Sequence, residues 1–154
     1  MDSTQEANKA IARDFWAAGK GLTDGQDPSL YYSEDYYNHA SPPGAPQGLD
    51  NVRNLGRLFR RIWPDHTIEI EHIVAEGELV AFFGRFVATH QAEMFGIPPT
   101  GKQVSFPVAH MLRIRDGKIL EHWAVRDDLK LMRQLGGTEE VGGVMWQERQ
   151  KAGE

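Results

Sequence analysis

The chain has 154 residues, which is enough for one well-packed domain and short for two. Its 17 basic and 22 acidic side chains give a net charge of −5, and no basic stripe offers the surface that nucleic-acid binding requires. Because cysteine is absent, disulfides, thiolate catalysis and cysteine-ligated metals are excluded. The N-terminus is polar and no apolar run reaches membrane-spanning length, so we expect a cytoplasmic protein that does not bind membranes.

The first part of the chain is predicted to hold three helices. Apolar residues recur at helical spacing over residues 7–18, before a pair of glycines. A second, short helix is predicted from the Asp27-Pro28 pair, a cap followed by a first-turn proline, through the aromatic-rich segment SLYYSEDYYNH. A third is predicted over about residues 50–63, where an apolar stripe ends at Pro64.

From residue 66 onward the apolar periodicity changes to two, which is typical of β-strands. Strands are predicted in HTIEIEHIV, ELVAFFGRFVATH, VSFPVAHMLRIR and KILEHWAVRD, followed by a last helix in DLKLMRQLG. This order predicts an α+β domain with the helices on one face of the sheet, over residues 1–136. Residues 137–154 are rich in Gly and Glu and are predicted to be a C-terminal tail.

The Asp116-Gly117 pair predicts a two-residue hairpin turn, and the turn predicts which side chains share a face. If Arg115 pairs with Lys118, one face carries a mainly apolar set, which is therefore the inner face: Phe106, Val108, His110, Leu112, Ile114, Ile119, Glu121, Trp123, Val125 and Asp127. The opposite face, a mixture suited to a surface or a subunit contact, would carry Pro107, Ala109, Met111, Arg113, Leu120, His122, Ala124 and Arg126. One extra residue in either strand would reverse these faces.

Three polar side chains interrupt the predicted inner face: His110, Glu121 and Asp127. Burial without a partner raises the pKa of a carboxyl group, and a titratable group in an apolar concavity suits acid–base catalysis on an apolar ligand. Each residue also has a structural interpretation. Asp127 could cap the last helix, although Asp128 could do so instead. His110, about 13 Å from Asp127 along the sheet, could be a core histidine, and Glu121 could reach solvent at the rim.

A metal site is not predicted. His66 and His72 lie on one predicted strand but six residues apart, about 20 Å, which is too far for one ion. No cofactor motif is recognised either. The GIPPTGK segment has the glycine and lysine spacing of a phosphate-binding loop, but it lacks the following Ser or Thr and precedes a strand rather than a helix.

Three segments, YYNHASPPGAPQG, GIPPTGKQV and RIRDGKILEHWAVRDDLKLMRQLG, together resemble the SnoaL-like polyketide cyclases of the nuclear transport factor 2-like superfamily, over about residues 7–136. The resemblance implies a cone-shaped α+β fold, in which a curved mixed or antiparallel sheet wraps around three N-terminal helices and a deep apolar cavity. It also implies an intramolecular aldol condensation without cofactor or metal, and a homodimer or larger homo-oligomer. By position, Asp127 would match the family's acid–base aspartate, His110 a cavity histidine and Asn38 an asparagine of the early segment.

These observations support the hypothesis of a cofactor-free acid–base enzyme that acts on an apolar, carbonyl-containing small molecule. Asp127 would move the proton, with His110 as the second catalytic residue. The predicted substrate-binding residues are Asn38, His39, Trp123, Phe106, Trp63, Phe15 and Glu121. Two alternatives stay open: a non-catalytic ligand-binding domain of the same fold, and an epoxide hydrolase or isomerase type of relative. An epoxide hydrolase would need an arginine between two aspartates, whereas Arg113 and Arg126 are both predicted on the outer face.

Overall fold

Three α-helices and five β-strands make up the fold of the computed structural model, which describes residues 2–14 and 22–136. The helices are α1 (Ser3–Ala12), α2 (Gly48–Ile62) and α3 (Asp128–Gln134). The strands are β1 (Tyr32–Asn38), β2 (Thr67–Glu76), β3 (Leu79–Thr89), β4 (Gln103–Arg115) and β5 (Lys118–Arg126). No helix in the described part of the chain is long and apolar enough to cross a membrane. The predicted tail, residues 137–154, lies outside the described residues.

The strands form one mixed sheet in the order β1-β5-β4-β3-β2. β1 runs parallel to β5, and every other neighbouring pair is antiparallel. Helix α1 packs against β2 and β3, α2 against β1, and α3 against β4. The predicted α+β fold class is therefore confirmed, and α2 and α3 are the helices predicted before the second strand and after the last one. We call the sheet face that carries the buried side chains of β4 the inner face; these are Val104, Phe106, Val108, His110, Leu112 and Ile114.

The predicted second helix is wrong. Only a 3-10 turn forms at Pro28–Leu30, with Asp27 as its cap, and the tyrosine-rich segment is strand β1. Its buried tyrosines, Tyr32 and Tyr36, lie four residues apart, which is the spacing of a helical face. Residues four apart also share a face of a strand, so this spacing fits either structure. The pairing of β1 with β5 is in addition irregular between Tyr32 and Tyr37.

The β4–β5 hairpin has the predicted turn but a different register. Asp116 and Gly117 both have positive φ, 49° and 75°, and Arg115 pairs with Lys118 as predicted. The register then shifts, because Leu120 is an extra residue between two pairs: Ile114 with Ile119, and Arg113 with Glu121. Beyond this bulge every residue of β5 is on the face opposite to the predicted one. His122, Ala124 and Arg126 share the side of the buried β4 residues, whereas Glu121, Trp123 and Val125 lie on the outer face.

Candidate functional site

Two buried histidines meet on the inner face, where β4 and β5 lie side by side. Nδ1 of His110 and Nε2 of His122 are 2.8 Å apart, and the two rings stack with centroids 5.1 Å apart. Only 7% of His110 and 5% of His122 is exposed. On its other side His110 stacks against Phe82 of β3, with centroids 5.0 Å apart. The pair exists because the bulge at Leu120 turns His122 inward; in the predicted register the two rings would lie on opposite faces.

Hydrogen bonds extend the pair across β1 to α2. Nδ1 of His122 lies 3.2 Å from Oδ1 of Asn38, and Nδ2 of Asn38 donates to Oδ1 of Asn51 at 3.0 Å. Nδ2 of Asn51 donates in turn to Oγ of Ser41 (2.7 Å) and to the carbonyl oxygen of Pro46 (2.9 Å). We call His110, His122, Asn38 and Asn51 the buried polar chain. Both asparagines are buried, so each amide depends on these partners.

Burial keeps both imidazoles neutral. Loss of hydration lowers the pKa of His110 well below its usual value, and the neighbouring His122 and Arg126 lower it further. Burial, followed by the charges of His39 and Arg126, lowers the pKa of His122 to about 3. Neutral imidazole has one nitrogen that accepts a hydrogen bond and one that donates, so each ring can take part in a directed chain of hydrogen bonds.

Asp127 caps helix α3. Its Oδ1 accepts the backbone N–H of Lys130 at 2.9 Å, and its side chain is exposed. The predicted position opposite Phe106 on the inner face is wrong, because β5 ends at Arg126 and Arg126 pairs with Val108. The predicted alternative cap, Asp128, is bonded to Arg126 at 3.3 Å instead. The structure therefore separates Asp127 from the inner face, while its proposed catalytic role stays a prediction.

The remaining residues predicted to line the interior are divided between the two faces. Phe106 and Trp63 are buried on the inner side, and both contact Phe86, with ring centroids 5.0 and 5.6 Å apart. Phe15 lies outside the described residues.

The outer face holds Glu121 and Trp123, so their predicted position on the inner face is wrong, and His39 packs against both; the substrate-binding role predicted for the three residues stays a prediction. Oε2 of Glu121 accepts Nε–H of Arg113 at 2.5 Å, and its Oε1 lies 3.1 Å from Nε2 of His39. These two bonds, the one to His39 first, lower the pKa of Glu121. Trp123 stacks on His39 with centroids 4.5 Å apart. Around them lies a groove of about 550 Å³, which we call the outer groove, and three predicted site residues, His39, His110 and Trp123, line it together. The rest of its lining comes from residues of both faces: His72, Val74, Ala81, Phe82, Phe83, Ala109, Met111, Ala124 and Val125.

His122 and Asn51 were missed by the sequence analysis. One signal could have revealed His122. In the observed register Arg113 lies opposite Glu121, whereas the predicted register placed Leu112 there. Opposite charges are favoured across a strand pair, so the charges alone favour the shifted register. The role of Asn51 has no comparable local signal, because its partner Asn38 is on another element.

Metal ligation finds no support in the described residues: within 2–14 and 22–136, no three His, Cys, Asp or Glu side chains could together hold an ion. His66 packs on Phe86 at the inner side, with centroids 5.8 Å apart, while the exposed His72 borders the outer groove. The register of β2 shifts between Ile70 and His72, where one residue is inserted. His66 before the shift and His72 at its end therefore lie on different faces.

Comparison with known proteins identifies the family. The sequence model of the SnoaL-like polyketide cyclases matches residues 10–135, so the chain belongs to that family, as its motifs indicated. Nogalonic acid methyl ester cyclase of Streptomyces nogalater is 30% identical over 122 residues, which are 78% of this chain and 90% of the relative. The crystal structure of a SnoaL-like protein from Jannaschia sp. CCS1 has the same fold, with a TM-score of 0.75, 18% identity and coverage of 90% and 97%. Wild-type IdmH of Streptomyces antibioticus is 27% identical, with a TM-score of 0.69 and coverage of 84% and 98%.

Proposed function

We propose that the protein is a cyclase that closes a ring of an apolar, carbonyl-containing polyketide by the addition step of an intramolecular aldol condensation, without a cofactor. Membership of the family and the 30% identity to an ester cyclase support this reaction class. The observation that carries the proposal is the neutral pair His110–His122, buried on a mainly apolar face. Such a combination of apolar surface and a few convergent polar groups suits binding and acid–base chemistry on a ligand of this type.

The proposed reaction needs one group that both takes and returns a proton. His110 removes a proton from the carbon next to one carbonyl group, and the resulting enolate carbon attacks a second carbonyl carbon of the same molecule. A carbon–carbon bond forms, and the alkoxide oxygen takes the proton back from His110. The overall change is an isomerisation, so no oxidant, reductant or metal enters the balance. The apolar surroundings keep the imidazole unprotonated before the reaction.

We place the substrate on the inner face, against Phe82 and Phe106, because these rings border His110 and its strand. Asn38 belongs to the same side through His122. Glu121 and Trp123 lie on the outer face, where Trp123 stacks on His39, so in this proposal these three residues do not contact the substrate.

The activity is tested with nogalonic acid methyl ester and aklanonic acid methyl ester as probes, in the presence of a metal chelator. Cyclisation gives a product of unchanged mass and changed chromatographic retention. We expect His110→Gln to lower kcat by roughly 10²- to 10⁴-fold, the range of general acid–base catalysis. Asp127→Asn is the matched variant. It removes the carboxyl chemistry but leaves a favoured cap residue, so it should retain activity close to that of the wild type.

The opposite pattern, in which Asp127→Asn is inactive and His110→Gln is active, would assign the chemistry to Asp127 and reject the histidine pair. Binding of both probes without turnover, unaffected by either substitution, would identify a ligand-binding domain instead of an enzyme. Both outcomes can be separated from misfolding by circular dichroism and by the unfolding midpoint of each variant.

We also propose that the outer groove is an interface between two copies of this chain. Phe83 and Val125 are 44% and 69% exposed beside it, and together with Val74 and Met111 they make a contiguous apolar surface. Monomeric proteins rarely expose such a surface, and burial against a second copy would remove it from water. Ion pairs of Glu121 with Arg113 and of Glu71 with Arg85 border it, as a polar rim would.

A further inference from the structure

The buried polar chain has a direction that two backbone groups determine. The N–H of Ala40 points at Oδ1 of Asn38 at 3.0 Å, and a backbone N–H can only donate. At the other end, the carbonyl oxygen of Pro46 can only accept, so Nδ2 of Asn51 faces it and Oδ1 of Asn51 faces Asn38. Both backbone groups, the N–H of Ala40 and the carbonyl oxygen of Pro46, require the same orientation of the Asn38 amide. Its oxygen faces His122 and its nitrogen faces Asn51.

This orientation determines where the protons of the two histidines are. Oδ1 of Asn38 only accepts, so Nδ1 of His122 must carry the proton between them. A neutral imidazole carries one proton, so Nε2 of His122 has a lone pair. Nδ1 of His110, 2.8 Å away, must then donate to it, which leaves Nε2 of His110 without a proton.

We propose that Asn38 is a positioning residue, which acts through His122 to hold His110 in the tautomer whose Nε2 accepts the substrate's proton. The catalytic use of this nitrogen rests on the proposed cyclase function; the proton arrangement does not. When Nε2 takes the proton from carbon, His110 becomes an imidazolium whose Nδ1–H still donates to His122. The charge is thereby stabilised by a hydrogen bond that already exists, and no group has to rotate.

The arrangement is tested in the wild-type protein without substrate. In two-bond ¹H–¹⁵N correlation spectra of protein labelled with ¹⁵N-histidine, we expect His110 and His122 each to show a protonated Nδ1 and an unprotonated Nε2. A proton on Nε2 of His110 would overturn the inference. So would a proton on Nε2 of His122, because the chain would then run in the other direction.

The role of Asn38 is tested by Asn38→Leu, which has a similar size and no acceptor. We expect His122 to lose its single tautomer and His110 to show protonated Nε2, with kcat lowered roughly 10- to 100-fold, as for other orienting residues, and KM little changed. The matched control is Gln47→Ala. It removes two hydrogen bonds to the backbone of Asn38, at 2.8 and 3.2 Å, but none to its side chain, so both tautomers should persist.

Unchanged tautomers in Asn38→Leu would overturn the positioning role. If that variant does not fold, the wild-type spectrum still decides the direction of the chain. Failure of the proposed function has a different signature: the tautomers are as expected, but neither methyl ester probe is cyclised.

Discussion

At the scale of single residues, the histidine pair exchanges hydration for mutual hydrogen bonding. A buried polar group without a partner costs roughly 1–3 kcal/mol, and the bonds from His110 through His122 to Asn38 offset this cost. The offset holds only while both rings are neutral, because a protonated ring would bring an unpaired charge into the interior. The chemical role proposed for the pair and its effect on stability therefore depend on the same protonation state.

Stability should consequently fall in mild acid. The folded-state pKa values of His110, His122 and His66 are all lowered by burial, that of His122 to about 3. Below the unfolded value of about 6.5 the unfolded chain binds more protons than the folded one, so the free energy of unfolding decreases as the pH falls toward the folded pKa. We expect a decrease of up to about 1.4 kcal/mol per pH unit for each histidine, measured by urea unfolding between about pH 7.5 and about pH 5.

The control for this prediction is His72→Gln, since His72 is an exposed residue of β2. It should leave the slope of stability against pH unchanged. A wild-type stability that is constant over this range would contradict the burial of neutral histidines.

At the scale of elements, α2 approaches the chain at Leu22 so closely that a glycine is required. Gly56 is buried in the helix, and a Cβ atom placed on it would lie 2.1 Å from the carbonyl oxygen of Leu22. The same oxygen accepts Nη1–H of Arg60 at 3.2 Å, which holds the segment in place. The close contact with Leu22 therefore requires glycine at a helical position where intrinsic propensity alone would favour alanine.

Gly56→Ala should therefore lower the stability of the protein, whereas a Gly-to-Ala substitution in an exposed helix usually raises it. In an exposed helix interior this change stabilises by about 1 kcal/mol, whereas here we expect a loss of roughly 1–3 kcal/mol from overpacking. Asn54→Ala, on the exposed side of the same helix, should be neutral or slightly stabilising. The unfolding free energies of the two variants check this, and a more stable Gly56→Ala protein would show that α2 lies farther from Leu22.

At the scale of the whole molecule, the outer groove should determine the oligomeric state. Phe83→Asp places a charge in the groove and should convert a dimer into a monomer, which sedimentation velocity would measure. The control is Leu30→Asp, because Leu30 is 57% exposed but does not line the groove. A wild-type protein that sediments as a monomer at all concentrations would contradict the interface.

Much of the architecture was predictable because it depends on local patterns. Period-two segments located β2 to β5, the apolar stripe located α2, and the Asp116-Gly117 pair located the hairpin turn. The buried side chains of β4, including His110, also agree with the prediction, because this strand alternates without interruption. The first strand was not predictable in this way, since the four-residue spacing of its buried tyrosines, Tyr32 and Tyr36, fits a helix as well as a strand.

By itself, the sequence determined the family, the fold class, the turn and the inward position of His110. Only the tertiary structure decided which polar group accompanies it. The bulge at Leu120 inverts the rest of β5, so His122 turns inward, Glu121 and Trp123 turn outward, and Asp127 becomes a helix cap. The physical reason is the period of a strand: one inserted residue exchanges the two faces, and the choice depends on the packing of β5 between β1 and β4, which no local pattern contains.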